Sequence, residues 1–459
     1  MSAIHAFDVI VVGAGLAGYR AALRAAALGS RVAVVERMPS FGGSSILAGG
    51  FFAFAGTELQ RSRNITDTDE LLRKDLLELG HGANDPALVE AYVKHQLEEY
   101  QYIVGLGTYF MELQPSSGHS VPRGHRADPK QLMNILDGQA RAEKNISLFF
   151  STRALRLTKT TGSDRINTVL ARAPGGEASF VAGKGIILSS GGFSRAKDLL
   201  QVFAPHVRRS VPAGGLGNEG DGLKMAWEHG AAFADLGYVN GTFGTYPYPE
   251  ADELPAVIFP VYRGGICVNK QAKRFISESK SYKSLGEAVL LQDDGVAYQI
   301  FDQKIMDQAV AEVPSYNFRA IEAKGRISKA DTLPELASKL GIPANALSAT
   351  LELYNRDAAL GVDSHFGRTS LSHTYGNLAT IDTPPYYGFP STAMLSTTYG
   401  GLRVNAGMQV LNIWGDPIPG LFAAGEIMGG FHGESYMTGS ALGKALIFGR
   451  IAGESAAAA

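Results

Sequence analysis

Gly13-Ala14-Gly15-Leu16-Ala17-Gly18 spaces three glycines as a pyrophosphate-holding turn requires. Gly13 permits the tight turn, Gly15 lets backbone approach the phosphates, and Gly18 lets a helix pack closely on a strand. The helix that opens at Leu16 and Ala17 offers free N–H groups to the anion. Glu36 stands about 20 residues beyond, where a carboxylate accepts hydrogen bonds from ribose hydroxyls, and Arg37 follows it. Gly42-Gly43-Ser44 and Gly49-Gly50 would bring a second stretch of backbone to the same ligand. The chemistry implied is the binding of a dinucleotide.

The elements around these residues agree. Residues 7–12 form a continuous apolar run, apolar residues recur at helical spacing over 16–28, Gly29 interrupts, and Val32–Val35 is a second apolar run. That is a βαβ unit of about 30 residues. The apolar Phe51-Phe52-Ala53-Phe54 is too short to span a bilayer and is expected to pack inside. Residues 65–145 read as mostly helical, with a loop over 114–126 whose His119, Arg123, His125 and Arg126 either line a site or belong to an exposed loop. Short strands then lead to Gly185-Ile186-Ile187-Leu188-Ser189-Ser190-Gly191-Gly192-Phe193, and Gly220-Asp221-Gly222 opens another helix. From about residue 235 the texture turns rich in Tyr and Pro, and glycines return after about 375. This pattern predicts an α/β protein with one discontinuous domain, residues 1–234 and 366–459, and an inserted α+β domain, 235–365.

Composition narrows the function. The 459 residues carry 42 Lys plus Arg against 44 Asp plus Glu, a net charge of -2, which argues against an electrostatic nucleic-acid binder. A single cysteine, Cys267, excludes an internal disulfide framework, a CxxCH haem site and a cysteine-based metal cluster, and no metal site is expected. Glycine, at 55 residues, exceeds the usual share of roughly 7%. The start of the chain lacks signal-peptide features and no run of about 18 apolar residues occurs, so a soluble, cytoplasmic protein with no membrane span is expected. The sequons at Asn64, Asn145 and Asn240 then read as chance matches.

The assembled motifs, Gly13-x-Gly-x-x-Gly with Glu36, Gly42-Gly43-Ser44, Leu188-Ser189-Ser190-Gly191-Gly192-Phe193, Gly220-Asp221-Gly222, Gly401-Leu402 and Gly420-Leu421-Phe422-Ala423-Ala424-Gly425-Glu426, resemble the FAD-dependent fumarate reductase and 3-ketosteroid dehydrogenase superfamily along essentially the whole chain. The resemblance implies a Rossmann-like flavoprotein domain and an inserted capping domain that closes over the flavin. It also implies FAD contacts from Ala154, Ser190, Gly191, Gly192, Gly220 and Asp221, with Gly425 and Glu426 near the ribityl chain and Ser440, Ala441 and Leu442 at the pyrimidine edge of the ring. There, helix N–H groups would stabilise the charge of the reduced ring. FAD is expected to be non-covalent, because no histidine lies between His5 and His81, where a histidyl link would fall.

The branch of the family is a question of charge. A reductase of fumarate needs fixed cations, and Arg suits them because its fork matches a carboxylate. Where such reductases carry a proton-donating Arg, soon after the Ser277-Glu278 equivalent, this chain has Tyr282. Where they carry a substrate-binding Arg, it reads His432-Gly433-Glu434-Ser435-Tyr436. Phenols are uncharged donors suited to a ketone oxygen, and the ketosteroid dehydrogenase branch places a Tyr at each position. Tyr436-Met437-Thr438 resembles its 4-dehydrogenase type. The expected reaction is α,β-dehydrogenation of a ketone or its reverse. Tyr436 would bind the carbonyl oxygen, Tyr282 would exchange a proton with carbon, and flavin N5 would exchange the hydride. Activation of Tyr282 is left open between Lys283, read chiefly as a solvated residue, and a relay through Thr438 and Ser281. His432 is read evenly as catalytic or packed. One alternative is a reductase of an unsaturated carboxylate, with Arg263, Arg123 or Arg126 supplying charge. Another is a flavin electron-transfer subunit without its own substrate. With no second nucleotide motif and no haem or cluster ligands, electrons are expected to pass to or from a separate carrier.

Overall fold

In the computed structural model, which describes residues 3–239, 241–249, 255–371 and 376–459, the chain begins with the βαβ unit. Strand β1 (Ala3–Val12) leads through the glycine turn into helix α1 (Leu16–Ala27), and β2 (Val32–Val35) returns parallel to β1 with Val12 opposite Val35. Strand β3 (Ile146–Phe149) pairs parallel with β2, and β4 (Gly176–Leu188) pairs parallel with β1, Val12 opposite Leu188. On the outer side of β4 lies β5 (Pro417–Ala423), with Ala423 opposite Leu188. Val12, Val35, Leu188 and Ala423 therefore end level on one edge of the sheet. All of β2 and the last residues of β1 and β4 are buried, as a parallel sheet covered on both faces requires. The antiparallel pair Arg153–Thr158 and Thr168–Ala173 extends the sheet from β4.

The final helix, Ser440–Ala458, lies along α1. Gly449 packs on Ala17 and Gly453 on Ala21, so closely that a Cβ on either would collide with a backbone carbonyl oxygen. The two helices thus run side by side in the same direction.

The chain divides into two compact units. The first comprises the chain up to Ala204, Gly214–Val239 and Thr397–Ala459; the second comprises Pro205–Ala213 and residues 240–396. These bounds differ from those marked by the sequence texture. The long strand Tyr386–Leu395 is the centre of the second unit's sheet, pairing with Ala297–Asp302, Ser328–Ala330, Thr242–Thr245 and, in parallel, Val211–Pro212. Its core packs Ile266, Ile300, Phe301, Leu336, Leu347 and Phe389. The sequon at Asn240 lies outside the described residues.

Gly453→Val should cost about 1–3 kcal/mol by overpacking the two helices, measured by chemical denaturation; unchanged stability would contradict this close contact.

Candidate active site

The level edge of the first unit's sheet gathers residues far apart in sequence. Gly13, with φ +110°, turns the chain off β1 while its N–H bonds to Val35 O. Gly15 is the N-cap of α1 and no side chain caps this helix through it, although Ser45 Oγ accepts from Leu16 N at 3.1 Å. Leu16, Ala17 and Gly18 are buried in the first turn. Glu36, just after β2, accepts from Ala14 N and Met38 N, both at 2.8 Å, so it ties the glycine turn to its own strand end. Gly42 N bonds to Ala14 O. Ser44 Oγ accepts from Gly215 N at 3.0 Å and from Asn218 Nδ2 at 3.1 Å, next to exposed Gly43. Gly49 is exposed, whereas buried Gly50 accepts from Ala127 N.

Beyond β4 come Ser190, Gly191 and Gly192, and Gly192 O accepts from Gly220 N. The Asn218 amide also reaches Glu426 Oε2 at 3.0 Å, and Glu426 Oε1 accepts from Thr398 N. Gly425 follows β5 and packs on Ala17. Ala154 is buried in the antiparallel pair. Asp221 is held in ion pairs by Arg37 and Arg153. Three observations fit these residues to a dinucleotide. The glycine turn meets an α-helix start, the buried hydroxyl of Ser190 has no hydrogen-bond partner among the described residues, and Glu36 keeps carboxylate acceptor capacity after its two backbone bonds.

A second cluster surrounds the start of the Ser440 helix. Gly439 caps it in the left-handed region at φ +91° and ψ -16°, with no side-chain cap, and Ser440, Ala441 and Leu442 form its first turn. The Tyr436 ring stacks on Tyr399, centroids 5.8 Å apart, and meets the edge of His432 at 5.5 Å. Its phenol oxygen accepts from Gly439 N at 3.0 Å, which draws electron density and strengthens the phenol proton as a donor. Ser440 Oγ donates to Met437 O at 2.7 Å, so the 3.3 Å contact with His432 Nδ1 is donated by the imidazole. His432 is 4% exposed; burial, assisted by Lys444, holds its pKa well below the ordinary value. The imidazole is therefore neutral at pH 7, and its ring nitrogen bonds to the hydroxyl that opens the final helix. Thr438 N bonds to Ser117 O, and His119 Nε2 donates to Thr438 O at 2.8 Å. Burial lowers His119 to about 4, against the opposing pull of the Thr438 bond.

The structure corrects the exposed-loop expectation for 114–126. Arg123 and His125 are fully buried, and Gly124–Arg126 is a strand. Arg123 forks onto Asp67 at 2.7 and 2.8 Å and reaches Asp75 at 2.6 Å, while Arg126 pairs with Glu112 at 3.1 Å. Arg123 is committed to a structural cluster, which removes it as a substrate-binding cation.

In the second unit, Tyr282 begins the helix Tyr282–Leu290, capped by Ser281, whose hydroxyl accepts from Ser284 N. Glu278 is locked between Arg274 and Arg368, with Cys267 N on its remaining lone pair. This clamp fixes the segment that leads to Tyr282. Lys283 is buried, not solvated as expected: its Nζ bonds to Thr242 Oγ1 at 3.0 Å and lies 5.6 Å from the Tyr282 ring centre. Burial brings its pKa down to about 8, with Glu287 opposing.

One residue was missed altogether. Lys444, 2% exposed in the final helix, donates to Met428 O at 2.6 Å. Burial lowers its pKa to about 8 against the pull of Glu426 and Asp235. A charge set among the otherwise uncharged residues 440–449 was the available signal.

The comparisons with known proteins join these features. A family model described as an FAD binding domain matches residues 8–442. The chain belongs to this FAD-binding family. Its cofactor is FAD, and it is an oxidoreductase. The cytochrome-type fumarate reductase of Shewanella frigidimarina is 30% identical over 458 residues, covering 98% of this chain and 77% of that protein. Urocanate reductase of Eggerthella lenta is 30% identical, covering 98% and 74%. Among solved structures, the open conformation of a flavocytochrome c3 fumarate reductase superposes with TM-score 0.86 at 28% identity, covering 99% of this chain and 78% of that one. The 3-ketosteroid-Δ4-(5α)-dehydrogenase of Rhodococcus jostii, in complex with 4-androstene-3,17-dione, gives TM-score 0.78 at 26% identity, covering 99% and 97%. In the described residues of this family member, no helix is long and apolar enough to cross a membrane.

Two outcomes follow from the buried charges. Arg123→Met strands two aspartates and should cost about 3–5 kcal/mol, read by urea denaturation. For Lys444 in FAD-free protein, the native pKa of about 8 lies below the ordinary 10.5. The fold therefore carries the full penalty of a buried cation below pH 8 and sheds it between pH 8 and 10.5. Lys444→Met should stabilise the FAD-free protein at pH 7 and progressively less toward pH 10.5; a pH-independent difference would contradict this.

Proposed function

We propose that this oxidoreductase adds or removes hydrogen across the carbon–carbon bond adjacent to the carbonyl of a cyclic ketone. FAD, when bound, supplies the hydride acceptor or donor. The proposed FAD contacts are those that line the sheet edge: the turn of residues 13–18, Glu36, Ser44, Ser190 to Gly192 and Glu426, with the first turn of the Ser440 helix toward the ring. The observation that carries the ketone reading is the setting of Tyr436. Its phenol is aligned by Tyr399 and His432 and accepts Gly439 N, which makes it a directed, uncharged donor. We assign it the carbonyl oxygen, where it stabilises the charge of an enolate-like transition state. Tyr282 exchanges the proton with carbon, with Lys283 or the hydroxyls of Thr438 and Ser281 assisting. A neutral His432 holds the Tyr436 turn. A separate carrier exchanges electrons with the flavin.

The 30% identity to fumarate and urocanate reductases supports a second reading, reduction of an unsaturated acid. Against it stand the commitment of Arg123 to two aspartates and the tyrosines at positions 282 and 436.

Tyr436→Phe should lower kcat about 100-fold or more on a ketone substrate, the usual cost of an oxyanion donor, with FAD content unchanged. Tyr282→Phe should abolish turnover at the same FAD content. Full activity in either variant would remove that tyrosine from the reaction.

A further inference from the structure

Lys444 is unusual in a domain where the other buried charges are matched. Arg20 forks onto Glu99 and Arg123 onto Asp67, but no carboxylate among the described residues lies within ion-pair distance of Lys444, whose hydrogen bond runs to Met428 O. Burying a charge on such terms is costly, and the more distant attraction of Glu426 and Asp235 offsets the burial only in part. Its position suggests what does. Because Gly449 sits on Ala17 and Gly453 on Ala21, the parallel helices are offset, and Ser440 lies eight residues ahead of the level of Leu16. At 1.5 Å per residue that is about 12 Å. Lys444 stands midway, about 6 Å ahead of the start of α1. Its carbonyl partner, Met428, is two residues past Glu426.

We propose that Lys444 is a positioning charge for the cofactor, a fixed buried cation that favours the reduced ring of bound FAD and raises its reduction potential. This rests on the reading that the ring's pyrimidine edge meets the start of the Ser440 helix, and it does not depend on the ketone. Two-electron reduction places negative charge on that edge, and in a buried setting a cation acts over several ångströms with little screening. The lowered pKa of about 8 still leaves the ammonium charged at pH 7.

The test is the midpoint potential of FAD in the holoenzyme, by spectroelectrochemical titration at pH 7, together with the affinity for oxidised FAD. Lys444→Met should lose at least tenfold in preference for reduced over oxidised FAD, a fall of about 30 mV for a two-electron couple, and Lys444→Arg should keep most of the parent potential. A Lys444→Met protein that binds oxidised FAD tenfold more weakly at an unchanged potential would overturn the proposal, because the charge would then serve the pyrophosphate in both redox states. Ala441→Asp, which sets an anion at the helix start, separates the remaining failures. If it lowers the potential while Lys444→Met does not, the role of Lys444 is wrong and the ring placement stands. If neither moves the potential, the placement itself is wrong.

Discussion

The level ending of four parallel strands is the constraint on which the rest depends. Val12, Val35, Leu188 and Ala423 stop in register, so four loops leave the sheet at one edge and their backbones converge. Such an edge is where open α/β sheets hold ligands. Glu36, Ser44, Asn218 and Glu426 then knit those loops together through hydrogen bonds that span 22 to 208 residues of sequence. The glycines matter because they let these backbones approach, and the contact of the final helix with α1 fixes where the second helix start lies.

Buried electrostatics supplies the second level of organisation. Where the protein needs rigidity it pairs charges fully, as in Arg123 with its two aspartates or Glu278 between two arginines. Burial also pulls two cations, Lys444 in the first unit and Lys283 in the second, toward neutrality. Lys444 in turn helps burial keep His432 neutral, and the imidazole bonds to Ser440 Oγ at the start of the final helix.

Much of this was legible in the sequence because it rests on local rules. The βαβ unit, its acid and the glycine clusters declare themselves by spacing, and the family follows from them. The burial of Arg123 was not legible, since its partners lie 56 and 48 residues away and nothing local marks them. Lys283 read as solvated for the same reason: the strand that covers it carries Thr242, 41 residues earlier. The second unit's limits differ from those that texture marks because Tyr386–Leu395 pairs with strands from four other segments, a non-local fact that texture cannot express. Tyrosine types at 282 and 436 could be read, but the alignment of the Tyr436 phenol by Tyr399 and Gly439 needed coordinates.

The substrate we propose for this flavoprotein is a ketone and not a dicarboxylate. Anaerobic titration of the FAD-loaded protein with saturated cyclic ketones, 3-ketosteroids among them, and with succinate, following bleaching of the flavin absorbance, tests it most directly. Should a ring ketone fail to bleach the oxidised protein, the same panel as unsaturated ketones and fumarate is applied to the chemically reduced protein. The account predicts that a ketone exchanges electrons with the flavin in one of these directions and that the dicarboxylates do not. Electron exchange with succinate or fumarate alone would contradict it.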